Sequence, residues 1–89
     1  MSSNCGLPEY HGESPGVVVY AAKITDTQTL EHYPGAVRLV FGDLDKHADV
    51  LPYWAVRNSP QTGGYFVVPE TGGAAFMHAQ QFEATFTRA

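Results

Sequence analysis

The sequence predicts one small α+β domain: a curved, mainly antiparallel β-sheet with one short helix on a face and a flexible N-terminal arm. Three observations predict it. The 89 residues leave room for a single core. Short runs rich in β-branched and aromatic residues recur along the chain, separated by Gly, Pro, Asn and Ser clusters. Hydrophobic residues make up 44% and charged residues 16%, whereas disordered chains combine low hydrophobicity with high net charge.

Residues 1–16 contain Gly6, Pro8, Gly12, Pro15 and Gly16 with little apolar content, and read as the arm. The domain then occupies residues 17–89. Val17 to Ile24 is the first strand, and its near-continuous apolar run suggests a central position. Asp26 or Thr27 can cap a short helix through Tyr33, which Pro34-Gly35 stops. Val37 to Phe41 is a second strand, with Val37, Leu39 and Phe41 on one face. A polar connection runs from Gly42 to about Pro52. Tyr53 to Arg57 reads as a third strand, with Trp54 and Val56 facing one way and Arg57 the other. Tyr65 to Val68 is a fourth, Pro69 to Gly73 a hairpin loop, and Ala74 to Met77 the return strand. One helical turn over His78 to Phe82 precedes a last strand from Glu83 to Thr87.

The stretch Thr62-Gly63-Gly64-Tyr65-Phe66-Val67-Val68 and the closing Met77-His78-Ala79-Gln80-Gln81-Phe82-Glu83-Ala84-Thr85-Phe86 carry a resemblance. They are similar to small bacteriophage and prophage accessory proteins with a Pro-Gly-Asp-Tyr/Trp strand and a closing Phe-Glu-Ala-Thr-Tyr segment. Val18 to Lys23 and Pro34 to Gly42 resemble the opening elements of the same family, so the likeness spans most of residues 17–87. Thr62 and Gly64 stand where that pattern has Pro and Asp, and Phe86 where it has Tyr. The resemblance implies a phage protein that binds rather than catalyses. Read from the residues alone, Gly63-Gly64 permits a turn, and Phe82 and Phe86 are core anchors.

Net charge is −4, and Lys23, Arg38, Lys46, Arg57 and Arg88 are scattered singly. Nucleic-acid binders concentrate positive charge, so direct binding to duplex DNA is not expected. No run approaches the ~18 apolar residues of a membrane span, and no secretory leader pattern opens the chain. A host-cytoplasm location is the expectation. Eleven aromatic residues in so short a chain make a homodimer or higher oligomer plausible, because an interface would extend a small core.

Asp43, Asp45, His47 and Asp49 alternate like oxygen ligands, but Trp54 stands at the twelfth position, where a calcium loop has Glu. A solvated acidic loop is the better reading, and Asp43, Asp45 and Asp49 become candidates for contact with a basic partner. His11, His32, His47 and His78 lack metal-ligand spacing. Cys5, in the arm, is too poorly held for a nucleophile. There is no phosphate-binding or nucleophile-elbow motif, so neither enzyme activity, metal nor cofactor is expected. Tyr53, Arg57 and Phe66, with Arg38, are candidates for an aromatic and cationic binding face.

Three functional readings follow. The leading expectation is a phage inhibitor, anti-CRISPR-like, that blocks a host defence protein or complex by binding it. The alternatives are an oligomeric sponge for a nucleotide immune signal, and a phage structural or regulatory protein with no defence role.

Overall fold

The computed structural model describes residues 7–14 and 16–89. The elements are β1 (Glu9–His11), β2 (Val18–Lys23), β3 (Asp26–Thr29), β4 (Val37–Phe41), a 3-10 turn (Gly42–Leu44), β5 (Lys46–Val50), α1 (Pro52–Asn58), β6 (Tyr65–Pro69), β7 (Ala75–Met77), α2 (Ala79–Thr85) and β8 (Thr87–Arg88). They build two antiparallel sheets, ordered β7-β6-β2-β1-β8 and β3-β4-β5.

β2 and β3 are one strand that changes sheet at Ile24-Thr25. The Ile24 amide donates to the Gly64 carbonyl at 2.8 Å, whereas the Thr25 amide donates to Val40 at 2.8 Å. The Thr25 hydroxyl fixes the corner. It donates to the Val40 carbonyl at 3.1 Å and accepts from the Gly42 amide at 2.8 Å. The neighbour order β6, then β2–β3, then β4, then β5 is a Greek key, as in small, partly open OB-type barrels.

The five-stranded sheet is covered on both faces, which explains the unbroken apolar runs of β2 and β6. Ala22, Ile24 and Phe66 face the three-stranded sheet and meet Leu39, Phe41 and Val50. Val19, Ala21, Tyr65 and Val67 face the other way, beneath Phe82 of α2. There Phe82 stacks on Tyr65 at 4.1 Å between centroids and on Phe86 at 5.1 Å, with Tyr10 edge-on at 4.9 Å.

The Tyr65 hydroxyl donates to Glu83 at 2.9 Å. Burial, then this bond and the Glu83 charge, push the phenol up from 10.0 to about 12. A raised acid pKa means the fold favours the neutral phenol. Its contribution is full below pH 10 and is lost as pH rises through about 12. Wild type is therefore expected to lose melting temperature across that interval more steeply than Tyr65→Phe, followed by circular dichroism. Equal alkaline slopes would contradict this.

The α+β class stands, but with two sheets and two short helices where one sheet and one helix are expected. Leu7 to Ser14 do not form an arm. Leu7 is 7% exposed, and Glu9–His11 pair with both β2 and β8. Met1–Gly6, with Cys5, and Pro15 lie outside the described residues. Asp26–Thr29 is a strand instead of a helix. The β-branched Thr27 and Thr29 suit it, and all four residues find partners on β4. Lys46–Val50, expected as a connection, is an edge strand with Ala48 and Val50 turned inward.

Tyr53–Arg57 is helical instead of extended. Pro52 sits in the first turn, where its missing N–H costs nothing. Val56, which alternation places beside Trp54, is 79% exposed. Ala79–Thr85 stays helical past Phe82, since Ala, Gln and Glu are strong helix formers.

Candidate functional site

α1 is held side-on to the five-stranded sheet by two residues on one face. The Trp54 indole N–H donates to the Ala74 carbonyl at 3.0 Å, and the ring lies 5.6 Å from that of Phe66. Asn58 accepts from the Phe76 amide at 3.4 Å and donates to the Trp54 carbonyl at 3.1 Å. The helix thus rests on β6 and the end of β7, with its other face outward.

That outward face is apolar. Among the described residues the large exposed hydrophobics are Val17, Tyr33, Leu51, Tyr53 and Val56, and three of these fall within six positions at α1. Leu51 is 58% exposed and Tyr53 70%. The loop carrying Tyr33 abuts the same helix, since a Cβ on Gly35 would lie 3.1 Å from Pro52. Beside α1 runs an open groove of about 340 Å³ lined by Val50, Leu51, Tyr53, Trp54, Phe66 and Ala74. The indole N–H at its edge is already bonded to Ala74, so the groove suits an apolar group better than a polar ligand.

The predicted site residues are only partly brought together. Tyr53 and Arg57 do meet, one helical turn apart. The guanidinium donates to the Tyr53 hydroxyl at 2.6 Å and lies 5.4 Å from its ring centroid. Phe66, expected on the exposed face, is 7% exposed and stacks on Phe41. Arg38 lies on β4 and is engaged by Asp49 of β5 through two bonds, at 2.7 and 3.0 Å. A single pocket of Tyr53, Arg57, Phe66 and Arg38 is therefore not assembled.

Asp43 and Asp45 are exposed on the 3-10 turn, and Asp45 takes the left-handed conformation with φ 56°. Asp49 belongs to the ladder, where the hydrogen bond from Arg38 holds its carboxyl below the ordinary value. Its contribution is present above that value and lost as pH falls through the depressed pKa. Because the pair is half in solvent, Asp49→Asn is expected to shift the melting temperature only slightly at neutral pH, and less still in high salt.

The strand pair β4 and β5 presents a face that carries Arg38 on β4 and Lys46 on β5. That face has its arginine neutralised by Asp49, and the acidic turn adjoins it, which disfavours phosphate. A second cavity, of about 430 Å³, has Leu7, Phe41 and Phe66 as its floor and Asp45, Lys46 and His47 at its mouth. No group of three or more potential metal ligands occurs among the described residues. Among the described residues no helix is long and apolar enough to cross a membrane. Sequence reasoning missed Leu51 and Val56; Pro52 was the available signal that a helix begins there.

No family model matches the chain, and no curated protein matches it. Among solved structures it is similar to the solution structure of the monomeric form of the phage L decoration protein. The TM-score is 0.71 at 23% identity, over 92% of this chain. The chain spans 59% of the length of that protein. The expectation of an anti-CRISPR-like inhibitor with a host defence partner is overturned by this likeness.

Proposed function

We propose that the chain is a decoration protein of a bacteriophage virion, which binds the outside of the capsid without catalysis. The observation that carries this reading is the match of nearly the whole chain to the phage L decoration protein. Decoration proteins bind the phage capsid, so the site of action moves from the host cytoplasm to the virion surface. The molecule's own features agree. Three of the five large exposed hydrophobics among the described residues fall at one short helix, as at protein contacts.

The test is co-sedimentation through a sucrose gradient with heads purified from the phage that encodes the chain. Saturable binding at a fixed ratio to the capsid subunits is the expected result. Protein that stays at the top of the gradient at every concentration overturns the reading.

A further inference from the structure

We infer that the α1 face is the capsid-docking surface, and that it fits an apolar depression flanked by a carboxylate on the capsid protein. This rests on the decoration reading above and adds to it a surface and a partner chemistry. Tyr53 and Val56 are the anchors: they are 70% and 79% exposed, on a helix whose inner face is already committed to Trp54 and Asn58. Tyr and Arg are over-represented among residues that dominate binding energy, and Arg57 follows Val56 in sequence and contacts Tyr53 one helical turn back. The groove beside the helix accepts an apolar side chain of the partner, since its one polar edge group is satisfied internally.

Charge selects the occupant. From Val50 to Asn58 the only charged residue is Arg57, and its contact is the neutral Tyr53 hydroxyl. Its other N–H donors can meet a carboxylate, which in a drying interface is a strong, bidentate partner. A second copy of this chain docked symmetrically through the same face would bring arginine towards arginine with no acid from the helix between them. A capsid surface can also reach the Tyr33 loop, which abuts the helix where Gly35 meets Pro52.

The experiment compares wild type, Tyr53→Ser/Val56→Asp, Arg57→Glu and Val17→Ser, using heads of the encoding phage and sedimentation velocity of each protein alone. The substituted side chains are exposed, so melting temperatures should stay close to wild type. Wild-type binding with at least about 30-fold weaker binding by the double variant and by Arg57→Glu is expected. Val17→Ser, which removes an exposed hydrophobic elsewhere, should bind as wild type does. If wild type binds and the α1 variants bind within about threefold of it, the assignment of the face is overturned while decoration stands. The same holds if neutralising Asp43 and Asp45 abolishes binding instead. If wild type does not bind heads, decoration itself falls, and the docking surface with it. If wild type alone forms dimers that the double variant abolishes, the face is a self-interface and capsid docking is overturned.

Discussion

Phe82→Ala is expected to cost about 3–5 kcal/mol and to lower the melting temperature by at least roughly 12 °C. Phe82 is 1% exposed and is the one buried residue of α2. Its ring touches Tyr65, Phe86 and Tyr10, which come from β6, the C-terminal end of α2 and β1. Alanine there removes the transfer energy of the ring and leaves a cavity that three aromatic rings on separate elements cannot jointly fill. A chain of this length has a total stability of roughly 5–13 kcal/mol, so the loss is a large fraction of the whole. Thermal unfolding followed by circular dichroism measures it, with the exposed Val56→Ser as a control expected to stay within about 0.5 kcal/mol. A shift of only a few degrees for Phe82→Ala would mean that α2 does not close the second core.

Gly64→Ala is expected to destabilise by about 1–3 kcal/mol although it adds a single methyl group. Gly64 needs no unusual φ; what it lacks is room. A Cβ would overlap the Phe76 ring and lie 2.9 Å from the Met77 carbonyl, which is backbone and cannot swing aside. Gly63, by contrast, has φ 98° and open space around it, so its glycine serves conformation. Combining Gly64→Ala with Phe76→Leu should recover part of the loss, because a smaller side chain frees the position. A double-mutant cycle reads that recovery directly. Strict additivity of the two changes would contradict the proposed overlap.

These two residues show where the sequence was legible and where it was not. The strands at Val18–Lys23, Val37–Phe41, Tyr65–Pro69 and Ala75–Met77 carry their own signal, because β-branched and aromatic runs between turn residues have few other uses. The Gly72-Gly73 hairpin was equally plain, and both glycines have positive φ. The segments around them were misread where a local preference competed with pairing. Asp26 accepts from the amide of its immediate neighbour Thr27 at 2.9 Å, one residue short of a capping bond, and the ladder with β4 decides the conformation. Trp54 and Val56 alternate like a strand, and only Pro52 before them argued for a helix. Glu9–His11 looked like a polar arm because its partners, β2 and β8, are separated from it along the chain.

For the candidate surface, Tyr53 and Arg57 were identified for a reason the structure replaces. They are exposed together because they are four residues apart on a helix, not because a sheet alternates. Phe66 could not be assigned from alternation at all. In a sheet covered on both faces, neighbouring residues of one strand are all buried, as Tyr65, Phe66 and Val67 are.

The most direct test of decoration is a cryo-electron microscopy difference map between heads of the encoding phage with and without the gene for this chain. Heads with the gene should carry density that accommodates a body of 42 × 30 × 23 Å at regular lattice positions on the outer surface, absent from heads without it. Identical outer surfaces in the two reconstructions would contradict the proposed function.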